Sequence, residues 1–88
     1  MSKAIWKYEG PTPQEPRRTI DMPAKAEVVT VGHDPIGVLS IWALVDPDCP
    51  TTPRHFRLVG TGHLINGNVE YLGAVLDRPF VWHILEEK

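Results

Sequence analysis

Apolar positions recur with a period of two, in short runs cut by glycine and proline before a helical stripe can develop. Ala4–Tyr8 (AIWKY) opens the series, and Arg18–Met22 follows, stopped by Pro23. Glu27–Gly32 (EVVTVG) is a stronger run of β-branched residues, and Val38–Val45 (VLSIWALV) is the most apolar and predicts the central strand. Arg54–Val59 (RHFRLV) sets Phe56 and Leu58 on one face, His55 and Arg57 on the other. Val69–Leu76 (VEYLGAVL) puts Val69, Tyr71, Gly73 and Val75 on a common face. Phe80–Leu85 (FVWHIL) alternates Phe80, Trp82 and Ile84 against Val81, His83 and Leu85.

The segments between these runs carry turn chemistry. Gly10–Pro16 holds three prolines and predicts an extended connector after the first strand, over residues 9–16. His33–Gly37 and Asp77–Pro79 reverse the chain, and Asn66-Gly67 is a two-residue turn signal. Pro47, Pro50 and Pro53 lack the amide donor a ladder needs, so Asp46–Pro53 predicts a loop. Pro23–Glu27 (PAKAE) has room for one helical turn. The reading is all-β: an antiparallel meander of six to seven short strands in one domain, folded as a small sandwich or partly open barrel. Its predicted core is Ile5, Val29, Val31, Leu39, Ile41, Ala43, Val45, Phe56, Leu58, Tyr71, Val75, Phe80, Trp82 and Ile84.

The two faces of these strands do not balance. Leu39, Ile41, Ala43 and Val45 point one way, but Val38, Trp42 and Leu44 point the other, and Val81 and Leu85 add to a second apolar face. A strand apolar on both faces is covered on both. With 88 residues the chain exposes roughly 5,200 Å² once folded and has little material for a second cover. The sheet then folds over itself, a second copy supplies the missing layer, or a binding patch stays open.

Composition narrows the partners. Nine Lys and Arg against eleven Asp and Glu leave a net charge of −2, which gives duplex nucleic acid or an anionic membrane no electrostatic hold. No apolar run approaches the length of a membrane span, and no charged-then-apolar leader is expected. Cys49 is the only cysteine, so no internal disulfide forms, which favours a reducing compartment.

Gly60-Thr61-Gly62-His63 is the best local candidate for chemistry. Two glycines around a hydroxyl let consecutive amides converge on an anion, and Arg54 and Arg57 precede it as candidate cations. A bulge or tight turn at a strand end is the structural alternative. Trp42 or Trp82 are candidates to stack on a planar ligand, though three tryptophans also suit a core. His33, His55, His63 and His83 show no metal spacing, although a sheet offers one route to bring His55 and His83 together. Asp46 and Asp48 read as turn caps, and neither a catalytic constellation, a metal site nor a cofactor motif emerges.

The segments IWK (Ile5–Lys7), TIDMP (Thr19–Pro23), IWALVDPD (Ile41–Asp48), FRLVGTGH (Phe56–His63) and FVWHILE (Phe80–Glu86) resemble a family of small uncharacterised proteins of bacteriophages and prophages. The resemblance spans nearly the whole chain and carries no catalytic signature. It implies expression in the host cytoplasm and a small non-enzymatic, counter-defence role. The expectation is a self-associating protein that sequesters a small anionic ligand such as a signalling nucleotide. Alternatives are a protein-binding inhibitor of a host defence enzyme and a minor virion component.

Overall fold

Alternation and proline breaks translate into strands along the whole chain, of which residues 2–88 are described in a computed structural model. The strands are β1 (Ala4–Glu9), β2 (Arg17–Pro23), β3 (Glu27–His33), β4 (Leu39–Val45), β5 (Thr51–Gly60), β6 (Val69–Asp77) and β7 (Phe80–Glu87). They form two sheets, one ordered β1-β4-β3 and the other β2-β5-β7-β6, and every hydrogen-bonded pair is antiparallel. Neither sheet closes into a barrel; the fold is a small all-β sandwich. Only β3–β4 and β6–β7 are hairpins of consecutive strands.

The alternation of β4 sets the core. Ile41, Ala43 and Val45 are fully buried on its inner face, opposite Phe56, Leu58, Val75 and Ile84 of the second sheet, with Ile20 and Met22 added from β2. The sheets approach closely where β3 crosses β6, because Gly73 has no side chain there. A Cβ on Gly73 would lie 2.6 Å from Val31 Cγ2.

Four predicted core residues are exposed instead: Ile5, Val29, Tyr71 and Phe80. Ile5 faces outward on edge strand β1, Val29 is the unpaired residue of a bulge between Val28 and Thr30, and Tyr71 faces outward on edge strand β6. Phe80 stands at the end of the β6–β7 hairpin. The predicted loop over Asp46–Pro53 ends early. Thr51, Thr52 and Pro53 belong to β5 and pair with β2. Strand β7 joins β5 only from His55 onward, so over this stretch β5 has an open side on which a missing amide is harmless. The helical turn expected at Pro23–Glu27 is a tight turn, closed by the Ala26 amide on the Pro23 carbonyl at 3.1 Å with Lys25 in the left-handed region.

The proline-rich connector is pinned at both ends. Gly10 N donates to the Leu39 carbonyl at 2.8 Å and Leu58 N to the Pro16 carbonyl at 2.7 Å. The β3–β4 turn is organised by buried Asp34, whose carboxylate accepts from the Ile36 and Val38 amides and pairs with Lys7 at 2.7 Å. Those partners, Lys7 first and then the amides, hold its carboxyl below the usual range.

Candidate functional site

Strands β5 and β6 flank β7 on opposite sides and both run antiparallel to it. The link between them, residues 61–68, must therefore return along the length of β7. It does so across the outer face of the four-stranded sheet, where Arg57 Nη1 donates to the Asn66 carbonyl at 3.0 Å. This crossover is the cover for apolar residues on that face: Leu85 and Val59 are 1% and 8% exposed although they point away from the sandwich core. Asn66-Gly67, with Gly67 in the left-handed region, bends the crossover rather than closing a hairpin.

Where the crossover leaves β5 it makes the Gly60–His63 turn, closed by His63 N on the Gly60 carbonyl at 3.1 Å. The Gly60 amide donates to His63 Nδ1, also at 3.1 Å, which leaves Nε2 as the ring nitrogen that carries a proton. The imidazole lies against Gly60 so closely that a Cβ there would meet its Cε1 at 3.1 Å. Two adjoining hollows share Gly60, Thr61 and His63 as a common wall. The larger, about 520 Å³, is completed by Pro79, Phe80, Val81 and Trp82. The Phe80 and Trp82 rings sit 5.6 Å apart, centre to centre. The smaller, about 240 Å³, lies toward β6 and includes Ile65, Tyr71 and His83. Inside it Thr61 Oγ1 is 2.8 Å from His83 Nε2, and Tyr71 Oη is 2.8 Å from His83 Nδ1.

The structure thus brings together Gly60, Thr61, Gly62, His63 and Trp82 of the predicted residues. The other three stand elsewhere. Arg54 points into the sandwich, where Nε and Nη2 bind Glu86 at 2.6 and 2.7 Å and Nη1 binds the Ala26 carbonyl. Those bonds raise its proton affinity further. Burial pushes the Glu86 carboxyl up, but the bonds and charge of Arg54 and then Lys88 outweigh it and hold the group below its ordinary range. Arg57 spans Asn66 and Glu87, the latter at 2.6 Å. Trp42 lies on the outer face of the three-stranded sheet, beside Lys7 and Thr30. Trp6 takes the opposite face of that sheet, so the three tryptophans form no platform.

Sequence reasoning missed Tyr71 and Phe80 as neighbours of the turn. Arg78 precedes Pro79 in the β6–β7 turn and has no ion-pair partner among the described residues. The available signal was the alternation of β7, which separates Phe80 and Trp82 from Val81 and His83. His55 and His83 share the outer face but pair with Glu87 and Val59, and His55 bonds Thr19 at 2.9 Å instead. Asp46 caps its own turn through the Asp48 amide at 3.0 Å. Among the described residues no three His, Cys, Asp or Glu side chains gather to hold a metal, and no helix is long and apolar enough to cross a membrane.

No curated protein and no solved structure matches the chain. A family model described as "Domain of unknown function (DUF7352)" matches residues 1–88, the whole length, and the chain belongs to that family.

Proposed function

We propose that the protein is a non-enzymatic binding module that takes a small planar ligand bearing an anionic group, with a nucleotide as the type ligand. The observation that carries this reading is the larger hollow, where the Phe80 and Trp82 rings stand across from the Gly60–His63 turn. An aromatic wall supplies stacking to any base. The turn's own bonds use the amides of Gly60 and His63, which leaves those of Thr61 and Gly62, with His63 Nε2–H, as donors to a phosphate or carboxylate. The cation we assign in place of Arg54 and Arg57 is Arg78, which precedes the lining residue Pro79 in the chain.

In the phage setting that the sequence resemblance implies, such a module acts in the host cytoplasm by mass action, lowering a free signalling ligand below the threshold of a host effector. Self-association belongs to the same proposal, supported by open edge strands and by Leu76, Phe80 and Val81 exposed at one hairpin end. A native-mass measurement reads it directly. The alternative of a protein-binding inhibitor is favoured by one feature, the uncharged run Tyr71–Leu76 along the open edge of β6.

A thermal-shift screen against linear and cyclic nucleotides tests the ligand reading. Ligand at about 100 times its Kd adds about 2.7 kcal/mol, or roughly 10–20 °C for a domain of this size. Trp82→Ala and His63→Ala are expected to abolish the shift. No shift with millimolar nucleotide removes the proposal, and capture of a host protein by nucleotide-free chain puts the inhibitor in its place.

A further inference from the structure

The smaller hollow contains a hydrogen-bond chain whose polarity is reversible. His83 is held at both ring nitrogens by hydroxyls, Thr61 on Nε2 and Tyr71 on Nδ1, each at 2.8 Å. In a neutral imidazole one nitrogen carries a proton and the other a lone pair, while a hydroxyl can donate or accept. The chain therefore has two complete arrangements. In one, Thr61 donates to Nε2, the proton sits on Nδ1 and is given to Tyr71, and Thr61 turns lone pairs toward the hollow. In the other, Tyr71 donates to Nδ1, Nε2–H is given to Thr61, and the Thr61 proton is free to point at a ligand. Both arrangements keep both bonds. A competing acceptor for the Thr61 hydroxyl, the Val81 carbonyl, lies at 3.5 Å, beyond an ordinary O–H···O length.

Thr61 is also part of the wall common to the two hollows, so the edge of a ring stacked beside Trp82 meets this hydroxyl. A lone hydroxyl with a fixed partner would favour ligands of one polarity, because in the mismatched case the bound ligand covers a polar atom and leaves it unpaired. Thr61 has no fixed partner polarity. We propose that the Thr61–His83–Tyr71 chain makes the site tolerant of the ligand's edge: it accepts a hydrogen-bond donor or an acceptor at Thr61, and the His83 tautomer follows the ligand. Tyr71 and His83 are positioning residues in this scheme; Thr61 makes the contact. The inference rests on the planar-ligand reading above and identifies its ligand class as heteroaromatic bases that differ in edge polarity.

Adenosine monophosphate and inosine monophosphate are the probes, since the adenine edge presents an amino donor beside a ring acceptor and the hypoxanthine edge reverses both. Nitrogen NMR of the His83 imidazole, on the whole chain labelled in histidine, reads which nitrogen is protonated in each complex. The expected result is opposite tautomers in the two complexes, with affinities within about threefold of each other, less than the loss of one hydrogen bond. In Thr61→Val, which keeps the side-chain shape, both nucleotides bind about fivefold more weakly and the His83 tautomer no longer depends on which one is bound. The same tautomer in both wild-type complexes overturns this inference and leaves the binding reading intact, as does a ligand-dependent tautomer that survives in Thr61→Val. Absence of binding by either nucleotide overturns both.

Discussion

Gly73 gives the sharpest test of how the two sheets are held. In Gly73→Ala the new Cβ starts 2.6 Å from Val31 Cγ2, against an ordinary carbon–carbon contact of about 3.5–4.0 Å. An ångström of overlap has two outlets. Val31 can change rotamer, which a β-branched side chain in a strand does at a cost, or β3 can lift from β6 and open the core behind it. Overpacking of this size costs about 1–3 kcal/mol, which lowers Tm by roughly 4–24 °C in a domain of this length. Val31 is half-buried, so Val31→Ala alone costs about 1 kcal/mol. In the double variant the overlap disappears, and Gly73→Ala becomes neutral or gains about 0.5–1 kcal/mol from the stiffer backbone. The coupling is then about 1–4 kcal/mol in favour of the double variant. Urea unfolding of the four proteins, followed by tryptophan fluorescence, measures it. Additive losses would refute the argument, since they mean that β3 and β6 do not touch at this point.

Three other changes probe separate parts of the molecule. Glu86→Gln leaves Arg54 without its counter-charge inside the sandwich, where the Glu86 side chain is only 6% exposed, and is expected to cost about 2–4 kcal/mol by chemical unfolding. Because the folded-state carboxyl titrates below its unfolded value of about 4.3, its contribution is complete above that pH and fades as the pH falls below it; acid-unfolding curves of Glu86→Gln should lack that decline. Arg57→Ala removes the strut to Asn66 and Glu87 and should cost about 1–3 kcal/mol, with proteolysis accelerated within residues 61–68 before global unfolding; unchanged cleavage would mean the crossover holds itself. Gly60→Ala crowds the His63 ring at 3.1 Å without left-handed backbone strain. It should shift the His63 imidazole resonances and leave Tm within a few degrees, a stability change of about 0.5 kcal/mol.

The strands were legible because each announces itself locally. Alternation, β-branching and the proline and glycine stops mark all seven, and Asp34 and Asp46 cap turns as their side chains suit them to do. Strand order was not legible, because pairing β1 with β4 and β2 with β5 depends on contacts far apart in sequence. That gap explains the site residues. Arg54 and Phe56 alternate with Arg57 along β5, but which face is inner follows only from the partner sheet, and Arg54 falls inside with Glu86 opposite it. Tyr71 joins His83 through β7, a neighbour that the separation along the chain conceals. The Gly60–His63 turn is visible as a local motif; its aromatic wall, Phe80 and Trp82, arrives from the start of β7.

The surplus of apolar side chains on second faces finds two different fates. On the four-stranded sheet it is resolved internally. A parallel placement of β5 and β6 forces the chain to travel back over β7, and the returning segment hides Leu85 and Val59. The same constraint builds the hollows, since a connector laid across a sheet cannot pack as tightly at its entry turn as a strand packs in the ladder. The cover of one apolar face and the candidate site are thus products of a single topological choice. On the outer face of the three-stranded sheet Trp42 and Leu44 are half-buried and Ile5 is 60% exposed. The total accessible surface, 5779 Å², exceeds the roughly 5,200 Å² expected for a monomer of this mass, consistent with a flat molecule of 42 × 32 × 18 Å. Shape, more than an excess of apolar residues, keeps these side chains in contact with water: a two-layer sandwich of this length has edges and hairpin ends that no third layer covers.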